Sequence, residues 1–188
     1  MGKAANSSIS LKQIHVTDNF WNKYVHLVKD VIIPYQWDIL NDKLEDVETS
    51  HCIENFKIAA GEKEGEFQGA VFQDTDVAKW LEAVGFVLNY ERDEKLEELA
   101  DETIELIGRA QQPDGYLNTY FTIKEPDGRW SNLMEGHELY TAGHMIEAAV
   151  AYYEATGKRR FLEIVSKFAD LVCQTFGSEE GKIHGYPG

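Results

Sequence analysis

Residues 76–110 read DVAKWLEAVGFVLNYERDEKLEELADETIELIGRA and predict two helices joined by a tight connection. The first helix is apolar on nearly every side, whereas the second alternates apolar and acidic positions at helical spacing. A helix that is apolar all round must be buried, while an amphipathic partner can face water. The stretch therefore predicts a helical hairpin with one inner and one outer helix.

The same hairpin recurs 65 residues later. That shift places residues 80–84 on residues 145–149, and it places Leu96 on Phe161. In the second copy we expect residues 136–155 to form one inner helix. Stacked hairpins of this kind predict an all-α fold with an inner and an outer ring of helices, an α/α toroid. About three hairpins are recognisable, so the chain is expected to form about half of an (α/α)6 toroid.

The predicted boundaries divide the chain into an N-terminal extension, residues 1–16, and a partial α/α-toroid domain, residues 17–188. Residues 17–19 offer N-cap side chains before an aromatic helix that Pro34 is expected to end or kink. Asp76 is the predicted N-cap of the first inner helix. Residues 116–123 are predicted to be extended.

Composition limits the classes of partner. The formal net charge of −15 argues against nucleic acid and against an acidic membrane surface. There is no signal-peptide pattern and no apolar run long enough to span a bilayer, so a cytoplasmic protein is expected. A neutral small molecule fits this composition better than a polyanion.

Two cysteines and a pair of histidines are the side chains of the sequence that could form a zinc motif. Cys52 and Cys173 are too far apart in the sequence to form a recognisable metal or disulfide motif, and Cys173 is expected in the core. His137 and His144 do not form the His-Glu-x-x-His zinc motif, because position 141 is Thr141. The sequence therefore predicts no metal site in this chain.

Residues 135–144 read EGHELYTAGH, which crowds polar side chains at the entrance of an inner helix. A helix start needs only one capping side chain, so this density indicates the wall of a polar pocket, most consistent with one for a sugar. Glu135, His137 and His144 are the candidate contacts in this stretch. His137 has the alternative of bonding a loop carbonyl, and His144 that of a structural hydrogen bond in the core.

Three further candidates lie near the same predicted edge. Asp74 is expected either to bond a sugar hydroxyl or to brace a neighbouring loop. Tyr116 and Asn118 alternate with Tyr120, so in an extended segment they share one face and line the pocket. Trp80 is expected in the core.

The chain resembles glycoside hydrolase family 127, the β-L-arabinofuranosidase-like proteins, over nearly its whole length. The matching stretches are DNFW at 18–21, IENF at 53–56, DTDVAKWLEA at 74–83, QQPDGYLNTYF at 111–121, EGHELYTAGH at 135–144 and HGYPG at 184–188. They occur in the family's order and are similar to the N-terminal part of its catalytic domain. The resemblance implies an (α/α)6 barrel and a sugar contact by His137.

The resemblance also implies a mechanism. Family enzymes are retaining glycosidases in which a zinc-bound cysteine thiolate attacks the sugar and a glutamate acts as acid and base. Those residues belong to the later half of the barrel, and no Cys or Glu of this chain matches them. The resemblance therefore gives no catalytic residue and no cofactor to this chain, and it places zinc in the complete family enzyme.

These observations predict the N-terminal portion of an arabinofuranosidase-type glycoside hydrolase. Such a portion supplies part of the sugar pocket and is inactive alone. The alternative is a non-catalytic helical scaffold that binds a sugar or a protein, whereas other toroid enzymes, such as sugar epimerases, fit the motif order poorly. Because half a ring leaves inner helices uncovered, self-association is also expected.

Overall fold

The computed structural model describes residues 9–185, and that part of the chain is all-α apart from one isolated β-bridge between Phe176 and Ile183. Seven helices of eight or more residues are joined by two shorter ones. In chain order they are α1 Asn19–Leu27, α2 Ile33–Leu40, α3 Cys52–Ala59, α4 Asp74–Tyr90, α5 Glu94–Ala110, α6 Thr119–Ile123, α7 Leu133–Gly136, α8 Glu138–Thr156 and α9 Arg160–Thr175.

The first part of the predicted N-terminal extension, residues 1–8, and the last three residues of the HGYPG stretch lie outside the described residues. Within residues 9–185, none of the helices combines the length and the apolar character needed to cross a bilayer.

The two predicted hairpins are α4 with α5 and α8 with α9. Helix α4 packs along α8, while α5 lies beside α9, so the inner helices are neighbours and the outer helices are neighbours. The outer helices bury one face each, because their apolar residues recur at helical spacing. This arrangement confirms the all-α prediction and the partial α/α toroid.

The inner helices approach closely where α4 carries Gly85. A Cβ atom at this position would lie 2.8 Å from the carbonyl carbon of Ala151 and 2.9 Å from the amide nitrogen of Tyr152. Any larger residue at position 85 would therefore separate the two backbones. Glycine at this point fixes how α4 and α8 pack.

Helix α1 begins as predicted, because the Asp18 carboxylate accepts hydrogen bonds from the amides of Phe20 and Trp21 at 3.0 and 2.8 Å. Pro34 lies in the first turn of α2, where a proline is tolerated, and a wider π-helical turn, Val28–Ile32, joins α1 to α2. None of the residues of α1 is buried.

Two predicted helix boundaries are wrong. Helix α4 begins at Asp74 after Gln73, so Asp76 lies within the first turn and is not the N-cap. Residues 136–155 do not form one helix, because His137 has a left-handed backbone, φ 53° and ψ 22°, that separates α7 from α8. The break turns the chain at the position where the sequence analysis placed a sugar contact.

Two further predictions are corrected. Residues 116–123 are not extended throughout: Asn118 has an extended backbone but caps the short helix α6, with its side chain accepting from the Phe121 amide at 3.1 Å. Cys173 is exposed on α9, whereas Cys52 is fully buried and its thiol donates to the Gln73 carbonyl at 3.0 Å. Trp80 is in the core as predicted, and its indole nitrogen donates to the carbonyl of Ile33.

Candidate functional site

The entrances of the two inner helices meet at one edge of the molecule. The ring of Phe72, just before α4, lies 5.2 Å from the ring of His137, just before α8. Asp74, at the start of α4, is hydrogen-bonded to Thr119 at the start of α6. Three chain segments therefore converge at the edge where the sequence analysis placed a pocket.

His137 is held in a defined orientation at this edge. Its Nδ1 atom lies 2.8 Å from the carbonyl oxygen of Glu135, so Nδ1 carries the proton in this hydrogen bond. In the neutral ring Nε2 is then the acceptor, and it is the nitrogen left for a ligand. The left-handed backbone of His137 brings the ring between Phe72 and Tyr140, with the Tyr140 ring 5.7 Å away.

A depression of about 360 Å³ opens beside His137. It combines aromatic rings with polar groups, as sugar sites require: rings pack on the apolar face of a pyranose or furanose, and polar groups bond the hydroxyls. The lining residues are Phe72, Lys79, Leu133, Met134, His137 and Tyr140.

Lys79 contributes the positive charge of the depression. Its ammonium donates to the Thr75 hydroxyl at 3.1 Å and lies 5.5 Å from the centre of the Tyr140 ring. These contacts hold the lysine beside the aromatic wall. A further hydrogen bond from this ammonium to a hydroxyl of a bound sugar is compatible with its three donors.

Asp74 braces the edge from inside and does not line the depression. Its side chain is 2% exposed, and its two oxygens accept from the Thr119 amide at 2.7 Å and the Thr119 hydroxyl at 2.5 Å. Burial raises the pKa of Asp74 from 3.8 to about 6, although the two Thr119 hydrogen bonds act in the opposite direction. Of the two roles predicted for Asp74, the structure supports the loop brace.

Tyr116 is also buried and acts as a support. Its hydroxyl donates to the Glu138 carboxylate at 2.5 Å, and the other Glu138 oxygen accepts from the Trp130 amide at 2.8 Å. Burial and the Glu138 carboxylate raise the pKa of Tyr116 well above its ordinary value, and burial raises the pKa of Glu138. This contact ties the first residue of α8 to the loop before α6.

Asn118 completes the buried set, because its side chain is 1% exposed and caps α6. The prediction that Tyr116 and Asn118 share a pocket-lining face is therefore corrected. The segment turns into α6 instead of continuing as a strand, and it carries both side chains inward. Together with Asp74, these two buried side chains support the segments that form the edge.

Glu135 and His144 lie on either side of His137. Glu135 is exposed, and its amide is bonded to the Asn132 side chain at 3.1 Å. His144 lies two turns into α8, with its ring 4.5 Å from Tyr140. Its Nδ1 atom is buried without a hydrogen-bond partner, so the structural hydrogen bond predicted for His144 is not formed through that atom.

Five lining residues were missed from the sequence: Phe72, Lys79, Leu133, Met134 and Tyr140. The 65-residue repeat contained a signal for Phe72, because it places Phe72 at the position equivalent to His137. Tyr140 follows His137 by three residues, which is one helical turn on the same face. Lys79 gave no comparable signal.

The chain's residues do not fit the zinc–thiolate centre that the resemblance implies for the complete enzyme. Cys52 is buried with its thiol bonded to a backbone carbonyl, and Cys173 lies on the exposed side of α9. In the part of the chain that the structure describes, the one cluster of three metal-capable side chains contains no cysteine.

A second depression, of about 460 Å³, lies between α1 and α4 and has an almost wholly apolar lining that includes Trp21, Tyr24 and Phe86. It offers almost no polar atoms to sugar hydroxyls. The depression beside His137 is therefore the better candidate for a polar ligand.

A family model described as "Beta-L-arabinofuranosidase, GH127 catalytic domain" matches residues 13–188. The chain belongs to the GH127 family. It is 43% identical over 191 residues to a non-reducing end β-L-arabinofuranosidase of Bifidobacterium longum subsp. longum. The alignment covers 93% of this chain and 29% of that relative.

Two solved GH127 structures are similar to the fold. A β-L-arabinofuranosidase from Geobacillus stearothermophilus T6 shares 63% identity with a TM-score of 0.91, over 93% of this chain and 27% of that one. Another GH127 β-arabinofuranosidase shares 35% identity with a TM-score of 0.84, over 96% of this chain and 29% of that one. The chain thus spans less than a third of the length of these GH127 relatives.

Proposed function

We propose that this chain supplies the N-terminal part of the sugar pocket of a retaining β-L-arabinofuranosidase-type glycoside hydrolase. The observation that carries the proposal is the geometry of His137. Its Nδ1–H is committed to the Glu135 carbonyl, so Nε2 remains to accept a hydrogen bond beside two aromatic rings. Membership of GH127, and the activity in the names of the relatives, support an arabinofuranoside as the sugar.

Each lining group has a role in this proposal. His137 accepts from a hydroxyl of the furanose, Lys79 donates to another oxygen, and Phe72 and Tyr140 pack against the ring carbons. Glu135, which is exposed beside His137, would contact a larger substrate, whereas His144 acts on the sugar only indirectly, by packing on the Tyr140 ring. The starts of α4, α6 and α8 are held in place by the buried side chains of Asp74, Tyr116 and Asn118.

The chemistry lies outside this chain in the proposal. No nucleophile or acid–base pair is assigned here, and zinc belongs to the complete family enzyme. We therefore expect no hydrolysis of an aryl β-L-arabinofuranoside by the purified 188-residue chain. A turnover assay checks this, with a complete GH127 enzyme as the positive control; clear turnover that persists in the chain after repurification would contradict the absence of catalytic residues.

Binding is tested separately from turnover. Saturation-transfer NMR with methyl β-L-arabinofuranoside should detect weak binding, with a Kd on the order of 1 mM, because a monosaccharide on an open half-pocket buries little surface. His137→Ala should abolish the signal, whereas His26→Ala, an exposed histidine on α1, should leave it unchanged. Binding that is equal in both variants would place the sugar elsewhere.

A second proposal is that the chain associates with itself. It corresponds to the alternative function, a non-catalytic helical scaffold that binds a protein. Exposed apolar side chains extend over the first helices and the uncovered faces of the inner helices, including Trp21 at 61%, Val31 at 55% and Phe86 at 49%. Patches of this kind favour protein contacts. Sedimentation at micromolar concentration is expected to show oligomers, and a strictly monomeric profile would contradict this second proposal.

A further inference from the structure

Glu82, His144 and Glu147 form a cluster between the neighbouring inner helices α4 and α8. One ligand-capable atom from each residue lies within 4.8 Å of the others. We propose that this cluster binds one divalent first-row transition-metal ion. The site differs from the sugar depression, because none of its three residues lines that depression.

The first observation that supports the site is the environment of His144. Its Nδ1 atom is buried without a hydrogen-bond partner. Glu147 Oε2 lies 3.5 Å from this nitrogen, within ion-pair range but without hydrogen-bond geometry. Because a buried polar atom without a partner is costly, coordination to a cation through this nitrogen would remove the deficit.

The second observation is the rigid frame on which the ligands stand. Glu82 lies one turn before Gly85 on α4, and Glu147 lies one turn before Ala151 on α8; the two backbones approach closely at Gly85 and Ala151. The 65-residue repeat also makes Glu82 and Glu147 equivalent positions. The close contact between α4 and α8 therefore places the equivalent carboxylates of Glu82 and Glu147 side by side.

The spacing on α8 adds the histidine to this pair. His144 and Glu147 are three residues apart, so their side chains share one face of the helix. The Tyr140 ring stands at 90° to the His144 ring with centroids 4.5 Å apart, which restrains the imidazole. A carboxylate from one helix with a carboxylate and an imidazole from its neighbour is a pattern that binds metals in helical bundles.

The donor set selects the class of ion. One imidazole and two carboxylates suit zinc, cobalt or nickel better than calcium or magnesium, which prefer oxygen ligands alone. Ligands of a tetrahedral ion at about 2.1 Å lie about 3.4 Å apart. Side-chain movements of about 1 Å would bring the three ligand atoms to this spacing. The Glu147 side chain is 64% exposed and therefore has room to move.

The test is a titration of the chain with Co²⁺, after removal of any affinity tag and treatment with a chelator. We expect one ion per chain and the visible absorption of tetrahedral cobalt, which Zn²⁺ displaces. At a hundredfold excess over Kd, Zn²⁺ should raise the melting temperature by about 5–10 °C. His144→Ala and Glu147→Gln should each weaken binding more than about tenfold.

Glu154→Gln, which removes an exposed carboxylate from the same helix, is the matched control and should bind Co²⁺ normally. Because Glu147 is exposed, Glu147→Gln tests the site even if His144→Ala does not fold, and circular dichroism establishes folding in each case. Absence of the cobalt spectrum would overturn the proposal. Several weakly bound ions per chain, unaffected by Glu147→Gln, would also overturn it, because they would reflect only the acidic charge. Neither result bears on the proposed sugar contact, because the sugar-binding NMR experiment is run on chelator-treated, metal-free protein.

Discussion

Buried carboxylates hold the two inner-helix entrances in place. Asp74 joins α4 to the start of α6 through Thr119, and Glu138 joins α8 to Tyr116 and Trp130. Burial raises the pKa of both carboxyl groups, because each carboxylate loses solvation that its hydrogen bonds replace only in part. The candidate site is therefore supported by hydrogen bonds whose strength depends on pH and on single substitutions.

The raised pKa of Asp74 predicts a pH-dependent stability. The native state binds more protons than the unfolded state between pH 4 and 6, because the pKa is about 6 in the fold and 3.8 is its ordinary value. The contribution of Asp74 is therefore most favourable below pH 4, and about 2–3 kcal/mol is lost as the pH rises through 6. Urea unfolding at several pH values measures this loss.

Asp74→Asn is the direct comparison. Its amide oxygen can accept from the Thr119 amide and its NH₂ can donate to the Thr119 hydroxyl, so both contacts remain without the charge. The stability of this variant relative to the natural chain should rise by about 2–3 kcal/mol between pH 4 and 7. Asp127→Asn, at an exposed position, serves as the control. Parallel pH profiles for the natural chain and Asp74→Asn would contradict the prediction.

Tyr116→Phe tests the other buried contact. The variant keeps the ring but removes the hydroxyl that donates to Glu138, which leaves a buried carboxylate oxygen without that partner. A loss of about 1–3 kcal/mol in the free energy of unfolding is expected. Tyr35→Phe, at a half-exposed ring on α2, should change stability by much less; equal losses in the two variants would argue against the Glu138 contact.

At the scale of helices, the contact between α4 and α8 determines the position of the site. Both helices begin at the candidate edge, and their backbones approach closely at Gly85 and Ala151. A change in their separation would move Phe72 relative to His137, since each residue stands just before one of these helices. The sugar depression and the proposed metal cluster both depend on this contact.

Gly85→Ala and Gly143→Ala form a matched pair. At position 85 a Cβ would meet the backbone of Ala151 at 2.8 Å, so we expect a loss of about 1–3 kcal/mol in the free energy of unfolding. At position 143, in the interior of α8, a Cβ meets nothing within 4 Å, so a gain of about 0.4–1 kcal/mol is expected. Chemical denaturation measures both. If both variants were more stable than the natural chain, the space between α4 and α8 at position 85 would be large enough for a methyl group, which would contradict the prediction.

The sequence predicted the helices better than the site. Apolar periodicity and the 65-residue repeat depend on local spacing, so they identified α4, α5, α8 and α9 and their pairing. The left-handed turn at His137 was missed, because a histidine gives no signal for a positive φ when the apolar pattern continues through it. The burial of Tyr116 was missed because it depends on where Glu138 lies in the fold, which no local pattern contains. Asn118 was misassigned because the predicted extended segment hid its capping of α6.

At the scale of the whole molecule, the described helices form an open arc whose first members present aromatic side chains outward. Phe20, Trp21 and Tyr24 pack on one another at ring distances of 5.1 to 6.0 Å, yet all three are about half exposed or more. The self-association proposed above would bury this face.

Trp21→Glu is expected to shift the chain towards monomer, because it introduces a charge beside the apolar depression between α1 and α4. Sedimentation velocity at several concentrations measures the shift. Ile9→Glu alters an apolar residue that is 72% exposed but lies before the helices, so it should leave the oligomeric state unchanged. Oligomers that persist in Trp21→Glu would exclude this face as the interface.

The central proposal is that His137 contacts the sugar and that the chain alone does not hydrolyse it. The most direct measurement is an NMR titration of the histidine ring resonances with methyl β-L-arabinofuranoside. We expect the His137 ring signals to shift saturably while those of His26 stay fixed, with no hydrolysis of the glycoside during the titration. Unchanged His137 signals at saturating sugar, or hydrolysis by the chain alone, would contradict the account.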